Sequence, residues 1–110
     1  GGPRLVSGSR DGTVRTWDPR AARGETVLND RCGIVLGSVY SLVVSGDTLF
    51  SGGQFSAQSA GLHAWDLRGP LHLREMRGHA DSVMSLALRG DSLLSGSWDR
   101  TVMEWSVRAL

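Results

Sequence analysis

Apolar residues come in short bursts along this chain, and each burst is closed by Gly, Asp or Pro. SVYSLVVSG (38–46), TLFSGG (48–53), GLHAWDL (61–67) and PLHLREM (70–76) are continuous or alternating apolar runs at roughly ten-residue spacing. That is the signature of strands separated by turns. SGD at 45–47 and RGD at 89–91 read as tight hairpin turns, because Gly accepts the positive φ such turns need. No segment sustains the 3.6-residue period of a helix. The pattern predicts an all-β chain.

The bursts repeat. Ser7, Ser51 and Ser95 are each followed by Gly, and Trp17, Trp65 and Trp105 follow them. Ser and Trp are ten residues apart in the first and third copies and fourteen apart in the middle one. Val39 and Val83 each stand twelve residues before the next Ser, while Trp17 to Val39 is twenty-two residues and Trp65 to Val83 is eighteen. The period is therefore about 40, with two four-residue insertions in the middle copy, at 29–37 and 53–60. Four short strands per period make an antiparallel meander, and stacked meanders make a propeller or a solenoid.

SGSRDGTVRTWD (7–18), LHAWDL (62–67), RGHADSVMSLAL (77–88) and LLSGSWDRTVMEW (93–105) together resemble the WD40 (WD-repeat) family across essentially the whole chain. Gly-His occurs once (Gly78–His79), Trp-Asp twice (Trp17–Asp18 and Trp65–Asp66), and the third copy ends in Trp105–Ser106. The resemblance implies β-propeller blades, each a four-stranded antiparallel meander with strands a to d from the centre outwards. The expected division is the end of a first blade (strands b–d) in 1–34, a second blade in 35–77 and strands a–c of a third in 78–110. That is an incomplete ring, so the remaining blades of the same propeller, or self-association of an isolated chain, are expected to cover its faces.

The resemblance also implies a hydrogen-bonded chain of His, Ser, Asp and Trp within a blade. In the third copy its members are His79, Ser95, Asp99 and Trp105. The first copy keeps Ser7, Asp11 and Trp17, with its His expected before Gly1. The middle copy keeps Ser51 and Trp65 but sets Val35 in the His position and has no Asp in its b–c loop. Ser, His and Asp so linked also describe a hydrolase triad. Ser95 is read as a strut instead, because Trp105 caps it, it stands mid-strand and no G-x-S-x-G elbow surrounds it. No catalytic residue is assigned, and the chain is expected not to be an enzyme.

Loops b–c and d–a leave the same end of a meander, and both insertions fall in those loops. Loops carry binding residues more often than strands do. Family partner-contacting positions carry over to Ser38 and Tyr40, to Ser82 and Met84 at the start of strand a, and to Arg10 and Trp98 before the turn Asp. Phe55 in the inserted loop adds an aromatic anchor. The expected function is a non-catalytic scaffold presenting this end to a protein or peptide. The alternative is a substrate-recognition or regulatory module of a larger ligase, kinase or similar assembly.

Composition removes other options. The 110 residues carry twelve basic and eleven acidic side chains. Every basic one is Arg, and none forms a basic stripe, so no nucleic-acid partner is expected. No apolar run approaches the roughly 18 residues of a membrane span. The lone Cys32 has no disulfide partner within the chain and fits a reducing, intracellular compartment. There is no phosphate-binding glycine motif and no metal-ligand spacing among His63, His72 and His79, so neither cofactor nor metal is expected. His63 and His72 read as strand-surface residues, Asp18 and Asp66 as turn-satisfying carboxylates, and Arg68, Arg74 and Arg77 as a solvated edge. No initiator Met opens the chain, and Gly1 falls in a loop-like stretch, so an excerpt of a longer protein is expected.

Overall fold

The computed structural model describes residues 5–17, 26–28, 32–68 and 71–109. Among the described residues the alternating bursts form ten strands: β1 (Leu5–Gly8), β2 (Val14–Trp17), β3 (Thr26–Val27), β4 (Val39–Ser45), β5 (Thr48–Gly53), β6 (Leu62–Asp66), β7 (Leu71–Glu75), β8 (Val83–Arg89), β9 (Ser92–Ser97) and β10 (Val102–Ser106). A short 3₁₀ turn, Val107–Ala109, follows β10. The strands make three antiparallel sheets, ordered β1-β2-β3, β4-β5-β6-β7 and β8-β9-β10. Gly46 (φ 59°) and Gly90 (φ 57°) open the two-residue loops β4–β5 and β8–β9, where a side chain would strain the backbone.

The sheets stack face to face and do not close into a ring. Val14, Leu28, Val39, Leu49, Trp65 and Leu67 fill the space between the first and middle sheets, with Val6, Cys32, Ile34, Leu36 and Leu42 at its margin. Phe50, Leu62, Ala64, Met76, Val83 and Leu93 fill the space between the middle and third sheets. Period-two alternation explains this division. Leu49 and Ser51 point one way along β5 and Phe50 the other, so the middle sheet supplies both layers. Covered on both faces, β5 and β6 are buried almost throughout, whereas β8 buries only Val83 and then alternates half-buried with exposed positions. Glycine permits the closest approach: a Cβ on Gly52 would stand 2.9 Å from Val83 Cγ1, and one on Gly8 would strike Val39.

Three register shifts reshape the sheets. β4 and β8 each carry a bulge in the same place, between Val39 and Ser41 and between Val83 and Ser85. The extra residues are Tyr40 and Met84. A bulge re-aims the side chain it inserts, and these two stand at the same end of neighbouring sheets. The third shift separates Ala64, which pairs with Arg74, from Trp65, which pairs with His72. Leu73 is the residue left over. Directly paired residues share a sheet face, so this shift puts His72 on the face of Trp65 and His63.

Candidate functional site

Two five-residue turns with matching hydrogen bonds define one end of the outer sheets. In Ser9–Thr13, the Ser9 amide donates to Thr13 O (3.1 Å) and the Gly12 amide to Ser9 O (3.1 Å). In Ser97–Thr101, the Ser97 amide donates to Thr101 O (3.1 Å) and the Arg100 amide to Ser97 O (3.2 Å). Asp11 Oδ1 accepts from the Thr13 amide (2.9 Å) and hydroxyl (2.6 Å). Asp99 Oδ1 accepts from the Thr101 amide (2.9 Å) and hydroxyl (2.5 Å). These threonine donors are the main reason both carboxyls stay below their ordinary range. The fourth turn position needs positive φ: Gly12 takes it at 85°, and Arg100 is held there at 72°.

The first turn is docked to the middle sheet and the second to the segment before β8 of its own sheet, each through backbone groups, which leaves their second residues outward. The Ser38 hydroxyl donates to Arg10 O (3.1 Å), and Ser38 O accepts the Gln54 amide (2.9 Å). The Ser82 hydroxyl accepts the Phe55 amide (3.0 Å), and Ser82 O accepts the Trp98 amide (3.1 Å). Arg10, Ser38, Gln54–Phe55, Ser82 and Trp98 thus form one connected line across three sheets. Along it, Trp98 is 69% exposed, and Phe55 and Tyr40 are exposed as well. Met84 is half-buried beside them.

Ser82 departs from its expected place as a partner contact. It is only 8% exposed, and its hydroxyl holds the inserted loop by the Phe55 amide. Ser38 is similarly spent on Arg10 O. These two serines join sheets and position the residues on either side of them.

The third sheet holds the polar chain that links its strands. The Trp105 indole N–H donates to Ser95 Oγ (2.8 Å), which lies 2.7 Å from His79 Nε2. His79 Nδ1 lies 2.8 Å from Asp99 Oδ2, and the same oxygen accepts the Ala80 amide (2.9 Å). An ionised carboxylate only accepts, so Nδ1 carries the proton and Nε2 accepts the serine hydroxyl. Ser95 is fully buried with both its hydrogen-bonding roles filled. In the first sheet the Trp17 indole donates to Ser7 Oγ (3.0 Å).

The middle sheet differs from expectation. Its Trp65 indole donates to Ser51 Oγ (2.9 Å), as in its neighbours. Val35, aligned with the histidine position, lies 70% exposed. Beside Ser51 is a small cavity of about 10 Å³, lined among others by Gln54, Ser59, Gly61 and His63.

His63 and His72 are not strand-surface residues. His63 is 2% exposed, with Nε2 2.8 Å from Ser59 Oγ and Nδ1 3.0 Å from His72 Nε2. Trp65 packs edge-on against His72, with ring centroids 4.8 Å apart. Glu75 Oε2 accepts the Ala60 amide (3.0 Å), the main reason its carboxyl is held low, and stands 3.9 Å from His63 Nε2. Burial, reinforced by His72, pushes the His63 imidazole down to about 4, and burial lowers His72 too. The available signal for His63 was its place two residues before Trp65, on the same strand face. No such signal marked His72, whose face depends on the bulge at Leu73.

Asp66 satisfies the turn it begins, accepting the Arg68 amide (2.9 Å) and the Arg68 guanidinium. Asp18 lies outside the described residues. Arg77 pairs with Glu75 from a solvated position, 79% of its side chain exposed. Among the described residues no three His, Cys, Asp or Glu side chains converge as metal ligands, and no helix is long and apolar enough to cross a membrane.

The family model described as "WD domain, G-beta repeat" matches residues 1–18 and 71–106. The chain is 31% identical over 108 residues to the DENN domain and WD repeat-containing protein SCD1 of Arabidopsis thaliana, covering 96% of this chain and 8% of that protein. It superposes on the WD40 repeats of RRP9 with a TM-score of 0.80 at 26% identity, over 96% of this chain and 32% of that one. On the WD40 β-propeller domain of Doa1 the TM-score is 0.73 at 27% identity, over 94% and 33%. The chain spans about a third or less of each of these proteins.

Proposed function

From the premise that the chain belongs to the WD-repeat family, with β-propeller blades as its sheets, we propose that it is a non-catalytic scaffold whose partner-binding end is the line from Arg10 to Trp98. In this reading the blades are the end of a first in 1–34, a second in 35–77 and part of a third in 78–110. The observation that carries the reading is Trp98. Its backbone is fixed by Ser82 while its indole stands in solvent, so little conformational freedom is lost on binding. Phe55, Tyr40 and Met84 extend the apolar patch, and Arg10 supplies a guanidinium at the position equivalent to Trp98. Aromatic, Met and Arg side chains are those enriched in interface cores. The partner is a protein or peptide.

The hydrolase reading of Ser95 finds no support, since the hydroxyl is enclosed between Trp105 and His79. An intracellular setting is part of the same proposal. A second reading, as the recognition module of a larger assembly, is favoured by the similarity to SCD1, of which the matched region is 8%.

The test replaces Trp98 and Phe55 by Ala in the full-length protein and measures capture of its bound partners. The double replacement is expected to weaken capture at least tenfold, as losing two hot-spot aromatics of about 1–2 kcal/mol each implies. Unchanged capture with an unchanged melting profile overturns the assignment.

A further inference from the structure

We propose that buried His63 and half-buried His72 form an acid-released latch that holds the β5–β6 loop, 54–61, of the middle blade in its neutral-pH conformation. The returning limb of that loop meets this cluster through the Ser59 side chain and the Ala60 amide, besides the backbone bonds between Ser56 and Ser59 and from the Gly53 amide to Gly61 O. Ser59 Oγ meets His63 Nε2 (2.8 Å) and accepts the Gly61 amide (3.1 Å). The Ala60 amide is held by Glu75 Oε2 (3.0 Å). Ser59 and Ala60 are both buried, so the limb has no water to turn to if these contacts fail.

The facing nitrogens of His63 and His72 lie 3.0 Å apart, close enough for one shared hydrogen and no more. A neutral pair supplies one N–H and one lone pair. A first added proton is tolerated, because an imidazolium can donate to a neutral imidazole. A second leaves two N–H groups pointing at each other, and one ring must turn away. If His63 turns, Ser59 loses its partner.

The charged groups bearing on His63 are few. From β7 come His72 and Glu75, and beyond β7 comes Arg77, which is paired with Glu75 and offsets its attraction for a proton. Facing it from β5 is Ser51, and the cavity wall from 36–39 and Gln54 carries no ionisable side chain. Burial lowers both imidazoles, His63 to about 4. The latch is closed at neutral pH and opens as pH falls from about 6.5 towards 4. The loop carries Phe55, so any consequence for partner capture rests on the docking reading above, whereas the latch is read from the loop itself.

The experiment is hydrogen exchange by mass spectrometry on the full-length protein from pH 7.5 to 4, corrected for intrinsic rates. Segment 54–62 is compared with 79–86, whose Ala80 amide is held by Asp99. The expected result is at least a tenfold rise in exchange of 54–62 relative to 79–86. In His72→Gln, which keeps a polar partner for His63 but no titrating ring, the rise shrinks to less than half. His63→Gln abolishes it; if that variant does not fold, His72→Gln decides alone. A flat wild-type profile down to pH 4 overturns the latch, and so does a rise that His72→Gln leaves unchanged. Phe55→Ala, which probes the docking surface, leaves these profiles unmoved, so the two readings fail separately.

Discussion

The middle and third sheets solve one problem in two ways. Each buries a tryptophan whose indole N–H needs an acceptor, and each offers a serine on the neighbouring strand. In the third sheet the serine is relayed through His79 to a carboxylate, and the relay ties the b–c turn to the segment before β8. In the middle sheet the relay is gone. A different imidazole, from β6 itself, binds the inserted loop to β7. The comparison teaches that the Trp–Ser contact is the invariant part of the blade, while the imidazole can enter from another strand if the register permits. It also separates the acid responses. Asp99 is held low by Thr101 and by backbone donors, so its contribution is present above the ordinary carboxyl range and fades only as pH falls below it. His63 is held low by burial, so the unfolded chain takes up its proton first, and its contribution is lost as pH falls from about 6.5 towards 4.

The largest expected effect that sharpens the comparison is on tryptophan. Trp65 is 0% exposed because the first sheet covers its face of the middle sheet, and Trp17 is 37% exposed because its face of the first sheet, opposite Val14, has no sheet against it in this chain. Trp65→Ala is expected to cost about 3–5 kcal/mol, and Trp17→Ala a similar amount where a neighbouring blade of the full-length protein covers its face, read by denaturant unfolding of that protein. A Trp17→Ala cost far below that of Trp65→Ala would break the stacked-blade picture. A smaller effect distinguishes the two serines. Ser95→Ala strands both the Trp105 N–H and His79 Nε2 and is expected to cost about 2–3 kcal/mol; Ser51→Ala strands one indole and is expected to cost about 1 kcal/mol. The reverse order would place the main strut in the wrong blade.

Much of this architecture could be read from residue order. The strands of 38–76 lie within a residue or so of the apolar bursts, because burial alternates with the side-chain period of a strand and Gly punctuates the turns. The members His79, Ser95, Asp99 and Trp105 were legible through the resemblance to the WD-repeat family, whose network positions they match. The middle blade's cluster was not. His72 reaches the Trp65 face only through the register shift at Leu73, and a one-residue shift has no local signature in PLHLREM. The same holds for Ser82, whose hydroxyl is consumed by a neighbouring sheet. Contacts between sheets depend on stacking distance, which no single strand records. Tyr40 and Met84 were singled out through the family resemblance, and the bulges at which they stand became visible only in the paired strands.

The central claim is that the middle blade carries its own buried imidazole in place of the relay its neighbour uses. An imidazole ¹⁵N titration of His63 tests it most directly. A ring that stays neutral through pH 7 and takes up its proton at about 4 is the predicted result; a midpoint near 6.5, that of a histidine in open water, contradicts it.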